Sequence, residues 1–133
     1  MDFKPYHIEM KVEAGPNGDL LRYYATGERS SEAALEFWQR IYSDCDSHSI
    51  FTVHATVVLS GRIEPMSIPL LIRELIALNA SRPITCAWVD LNPASFNDNL
   101  MGEKLPRPSS MNIKIFNSDE KAESWLASQP PTE

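Results

Sequence analysis

Between residues 7 and 13 the apolar Ile8, Met10 and Val12 alternate with Glu9, Lys11 and Glu13, the period of two of a strand with one wet face. Gly15-Pro16-Asn17-Gly18 carries the residue types a chain reversal needs, and an extended, tyrosine-rich run resumes at residues 20–26. The pair predicts a hairpin, broken at Gly27. Ser30 or Ser31 then offers a capping oxygen, and Glu32 suits the dipole of a first helical turn. Ala34, Phe37, Trp38, Ile41 and Tyr42 recur at three-and-four spacing, predicting a helix through about residue 43. Residues 44–49 read as a polar turn.

Charge vanishes over residues 51–59, dense in Val, Thr and Phe, as in a central strand buried on both sides. Beyond Ser60-Gly61-Arg62, residues 67–80 predict a second, broadly apolar helix with Pro69 tolerated in its first turn and Arg82-Pro83 as its stop. Residues 84–91 form another charge-poor strand whose one acid, Asp90, falls near its end. Asn92-Pro93 opens either a short helix to about Met101 or a loop, and residues 102–110, with Pro106 and Pro108, read as an irregular connector. Met111, Ile113 and Ile115 alternate with polar residues in a last strand. Asn117, with Glu120 three residues on, makes a capping-box pattern before a final helix that buries Ala122, Trp125 and Leu126. Strands alternating with helices through short connections predict an α/β sandwich, one domain over residues 1–133. Its mixed, mostly parallel five-stranded sheet carries the first, second and last helices.

The hairpin followed by Gly27-Glu28 and a capped helix, the strands at 51–59 and 84–90, and above all Ile113-Lys-Ile-Phe-Asn-Ser-Asp-Glu-Lys-Ala-Glu-Ser-Trp-Leu126 resemble the SpoIIAA-like family of small bacterial STAS-like domains. The likeness spans nearly the whole chain, though its closing pattern is packing chemistry and names no activity. It implies an open mixed sheet, a bacterial cytoplasm and frequent homodimers. The founding STAS proteins are anti-anti-sigma factors, with a phosphorylated serine in an Asp-Ser-Ser-Gly stretch at the helix start. In the matching stretch Glu64-Pro65-Met66-Ser67-Ile68-Pro69 only Ser67 fits, and the serine reads more simply as a helix cap. Other relatives resemble lipid-transfer modules in fold, which makes a small apolar ligand a second expectation.

The charge balance, 12 Lys+Arg against 18 Asp+Glu, leaves a formal −6 with the cations scattered, which argues against nucleic acid as partner. No leader pattern or apolar run of membrane-spanning length occurs. Two cysteines, Cys45 and Cys86, do not make a disulfide framework, and a cytoplasmic protein with reduced thiols is expected. No cofactor or metal motif is present: Cys45-Asp46-Ser47-His48 reads as a solvated turn lacking the further ligands a metal needs.

Ligands of open α/β sheets sit beyond the carboxyl ends of parallel strands, which here gathers Ser60, Arg62, Glu64 and Ser67 with Asp90, Asn92 and Ser95, of which Arg62, Ser67, Asp90 and Asn92 make the candidate ligand or phospho-regulatory cluster. Set against it, Asp90 and Asn92 commonly brace a following helix. His54, beside Thr52 and Thr56, reads as a bonded core histidine without an evident acidic partner, and Cys86 as a buried hydrophobe. The tryptophans belong to the core, unless Tyr23, Tyr24 and Trp38 share an oligomer surface. A non-enzymatic module that works through protein contacts follows, with a small apolar or amphipathic ligand as the alternative. A pocket above ~300 Å³ lined by Leu71, Leu75, Phe96 and Met101 would favour the ligand, and an exposed apolar patch the partner.

Overall fold

A computed structural model of the protein describes residues 6–61, 64–79, 82–104 and 108–130. Strands β1 (Tyr6–Gly15) and β2 (Gly18–Glu28) form the hairpin, followed by α1 (Ser31–His48) and β3 (Thr52–Ser60). A 3-10 turn (Pro65–Ser67) leads into α2 (Ile68–Asn79), then come β4 (Ile84–Asp90), α3 (Pro93–Glu103), β5 (Met111–Phe116) and α4 (Asp119–Ser128). The strands lie in chain order, β1-β2-β3-β4-β5, with the first pair antiparallel and the other three parallel. The fold is thus α/β, with a mixed five-stranded sheet and four helices among the described residues.

Each parallel strand is laid down beside the last in one direction, so right-handed crossovers put α1, α2 and α3 on a single face. The larger core fills that face: Leu21, Tyr23 and Ala25 of β2, Val53, Ala55 and Val57 of β3, and Cys86 and Trp88 of β4 meet Phe37, Trp38 and Ile41 of α1 and Leu71 and Leu75 of α2. Its centre is aromatic, with Trp38 stacked on Trp88 at 5.4 Å and Phe37 tilted between Tyr23 and Trp88. The opposite face carries α4 alone, whose Ala122 and Leu126 close a smaller core with Leu20, Ala87, Val89 and Phe116. At its far end α4 is tied to the hairpin turn, where the Asn17 amide donates to the carbonyls of Leu126 and Gln129.

Several local expectations change. β2 continues through Gly27, which keeps its place in the ladder opposite Leu59 at a φ of 125° that only glycine adopts freely. Helix α1 starts as expected, with the Ser30 hydroxyl accepting from the Ala33 amide at 3.0 Å, but runs on to His48. The reason is Cys45, which continues the apolar stripe one turn past Ile41 and is fully buried. Cys45-Asp46-Ser47-His48 is therefore a helix end and not a solvated turn; the helix stops at Ser49, whose φ is 54°. Of the two alternatives after Asn92, the helix forms, and α4 is capped by Ser118 in place of Asn117. Tyr23 and Tyr24 point to opposite faces, as neighbours on a strand must, so Tyr23 and Trp38 are interior while Tyr24 is 45% exposed.

Candidate functional site

At the carboxyl ends of the parallel strands Asp90 terminates β4, 1% exposed and surrounded by donors. One of its oxygens accepts from the Asn92 backbone amide at 3.0 Å. The other accepts from Arg29 at 3.1 Å, the Ser95 hydroxyl at 2.7 Å and the Asn99 amide at 2.5 Å. Arg29 comes from the residue after β2, fixed by its own amide donating to the Ser60 carbonyl, and its guanidinium also donates to Ser95 at 2.9 Å. Asn92 caps α3 by accepting from the Ala94 amide and reaches back to the Leu59 carbonyl at 2.8 Å. Strand ends β2, β3 and β4 are thereby laced to α3 by one buried ion pair and its bonds.

Asp90 and Asn92 are thus brought together as expected, but Asp90's lone pairs are taken by structural donors, leaving it no accessible oxygen for a base. Ser67 closes the 3-10 turn ahead of α2, its amide donating to Glu64, and is not bonded to this cluster. Arg62 lies outside the described residues. Arg29 and Asn99, which complete the cluster, were missed by reading the sequence. Arg29 sits in what looks like a loop, and only the adjacency of β2, β3 and β4 in the sheet places it near Asp90.

Beside this cluster, between the sheet and helices α2 and α3, lies a cavity of about 120 Å³. Trp38, Ile68, Leu71, Leu75, Trp88, Met111 and Ile113 form its apolar walls, with Arg29, Ser95 and Asn99 at its polar end. Leu71 and Leu75 line it as expected, whereas Phe96 does not, and the Met101 side chain lies outside what the structure describes. The volume is below the ~300 Å³ of an ordinary small-molecule pocket and near the ~150 Å³ engineered cavity that takes up benzene. The Trp88 indole N–H at its wall is buried and finds no hydrogen-bond partner among the described residues.

A second polar cluster lies on the opposite face, under the start of α4. His54, 2% exposed, bonds Asp119 at 3.0 Å through Nε2; Thr56 donates to the same carboxylate oxygen, and Arg22 reaches it at 3.2 Å. The buried Arg22 guanidinium also donates to Thr56 and the His54 carbonyl and lies 4.1 Å from the centre of the Tyr24 ring. Burial, reinforced by Arg22, holds the His54 pKa below its usual value despite the opposing pull of Asp119. Asp119 is partly desolvated, which works against its charge, yet the bonds from Thr56 and His54 and the Arg22 charge prevail and lower its pKa. Neutral His54 therefore carries its proton on Nε2 and donates it to Asp119. The acidic partner lies 65 residues further on. Arg22, set between Leu21 and Tyr23 in an apolar run, was the legible sign of a buried ion-pair network.

Both thiols are inert by environment: burial, with the nearby Asp46 and Asp44 carboxylates, pushes Cys45 up to about 12, and burial raises Cys86 likewise. Among the described residues no helix is long and apolar enough to cross a membrane, and no three His, Cys, Asp or Glu side chains group as a metal site. No protein-family model, no curated protein and no solved structure matches the chain.

Proposed function

We propose that the chain is a SpoIIAA-like, STAS-like regulatory module of the bacterial cytoplasm that works through protein contacts, beginning with self-association, and not by catalysis. The observation that carries this reading is the bare end of the sheet. Among the described residues β1 is an edge strand of ten residues paired on one side only, and the adjoining face not covered by α4 exposes Tyr24 at 45% and Val58 at 50%. An edge strand without a described neighbour, beside exposed apolar side chains, offers a surface that a partner can cover. Sedimentation velocity over a dilution series tests it: a reversible dimer is expected, and a monomer at every concentration overturns the reading.

The cavity is smaller than the ~300 Å³ expected of a ligand pocket, but its lining leaves a second reading, in which the module also holds a very small amphipathic ligand. An apolar chamber with an unpartnered indole N–H and a polar end suits one ring or short acyl chain bearing a hydrogen-bond acceptor. Native mass spectrometry of protein purified from a bacterial host checks this. A reproducible added mass that Leu71→Trp abolishes supports it, and bare protein throughout counts against it.

A further inference from the structure

The two edges of the sheet are not equivalent. β5 is six residues long and α3 packs beside it, whereas β1 is ten residues long with no described strand on its outer side. Gly15 and Gly18 flank a two-residue turn and so exchange hydrogen bonds, which assigns the odd-numbered residues of β1 to β2 and turns the amides and carbonyls of Ile8, Met10 and Val12 outward. The Ile8 carbonyl accordingly accepts from the guanidinium of Arg40 on α1 at 3.2 Å, an exposed bond that a strand pairing here displaces.

From this edge we infer that a second copy of the chain pairs antiparallel along β1, in a register centred on Met10. This rests on the self-association reading above and names the surface and alignment through which it occurs. A two-fold axis perpendicular to the sheet keeps the helix-bearing faces on the same side, so residues i and j stand opposite only when their numbers sum to an even value. With the sum at 20, Glu9 faces Lys11 of the second copy, His7 faces Glu13, Ile8 faces Val12 and Met10 faces itself. Each unlike pair occurs twice by symmetry. The charged pairs fall at the non-hydrogen-bonded positions, where side chains approach most closely. Val12, 44% exposed in the single chain, is covered by Ile8 of the other.

Neighbouring registers fail on charge. A sum of 22 sets Lys11 against itself and Glu9 against Glu13, and a sum of 18 sets Glu9 against itself and Lys11 against His7. Sums of 16 and 24 avoid the clash but overlap only residues 6–10 and 9–15, respectively. The alternation His7, Glu9, Lys11, Glu13 therefore selects one long alignment.

Charge exchange tests it on the full chain by sedimentation velocity, with thermal melts as the control for folding. Glu9 and Lys11 are well exposed, with side chains 72% and 64% accessible, so their reversal leaves the fold intact. Glu9→Lys or Lys11→Glu alone puts like charges opposite one another twice and should raise the dimer dissociation constant about tenfold or more. The double variant restores unlike pairs and should return it to within about threefold of wild type. Because the double variant also sets unlike charges at positions 9 and 11 of one chain, at the spacing of the Lys11–Glu13 ion pair, the melts must show it no more stable than the single variants for the rescue to count as intermolecular. A dimer indifferent to all three variants, or a double variant no better than the singles, overturns the register and leaves the self-association reading standing. A wild-type chain that never dimerises ends both.

Discussion

Replacing Asp90 by Leu takes one buried carboxylate away from the Arg29 guanidinium. The Arg29 side chain is 7% exposed and that of Asp90 fully buried, with their charged atoms 3.1 Å apart, so water cannot take over the guanidinium when the carboxylate goes. Breaking a buried pair in this way costs about 3–5 kcal/mol, a large share of the roughly 5–15 kcal/mol by which a domain is stable. At about 3–5 °C per kcal/mol for a chain of this size, the melting temperature should fall by about 10–25 °C. Arg29→Met is milder, about 1–3 kcal/mol, because Asp90 keeps the donors of Asn92, Ser95 and Asn99. The double variant removes both charges and should lose no more than Asp90→Leu alone, a strongly non-additive cycle. Urea unfolding followed by tryptophan fluorescence reads this directly, since Trp38 and Trp88 stack near the cluster. Single losses that simply sum in the double variant, or an Asp90→Leu protein within about 1 kcal/mol of wild type, would refute the claim that this pair braces the strand ends.

Acid should weaken the fold in two steps. The lowered His54 pKa means that the unfolded chain takes up the proton first, so stability is complete above the ordinary histidine value of 6.5 and is lost as pH falls through it. The lowered Asp119 pKa adds stability present above 3.8 and lost below it. Urea midpoints measured across both values should show the upper step disappear in His54→Asn. Ser49 holds a left-handed C-cap at φ 54°, so Ser49→Gly should stabilise by about 0.5–1 kcal/mol in the same assay, whereas Ser118→Ala should cost about 1 kcal/mol by uncapping α4. Buried, high-pKa Cys45 and Cys86 should resist a thiol reagent in the native protein and both react in denaturant.

Periodicity made the architecture legible because burial follows it closely here. The alternation at residues 7–13, the charge-free strand at 52–60 and the stripe Phe37, Trp38, Ile41 each have one geometric reading, and the sheet follows from their order. Errors arose where a residue plays against type. Gly27 normally ends a strand but here accommodates a positive φ within one, and the polar Asp44, Asp46 and Ser47 masked Cys45, a small side chain that carries α1 a turn further into the core. The sites were less legible for a different reason. Asp90 with Asn92 is a local pair three residues wide, visible in any reading, but Arg29 with Asp90 and His54 with Asp119 join residues 61 and 65 positions apart. Such partnerships exist only once strand order is known.

The two faces of the sheet explain why these charges are buried at all. Three helices cover one face and α4 only part of the other, so mid-strand residues there must be screened by something smaller than a full helical layer. Arg22, His54 and Thr56 accomplish this by converging on Asp119, whose position in the first turn of α4 already favours a negative charge. The same contacts fix where α4 lies, from the middle of β2 and β3 to the hairpin turn at Asn17. Tyr24 on β2, next to the open edge strand β1, and Val58 on β3, one strand further in, stay uncovered beyond its reach. The electrostatic anchor that seats the last helix thus also determines which part of the sheet remains for a partner.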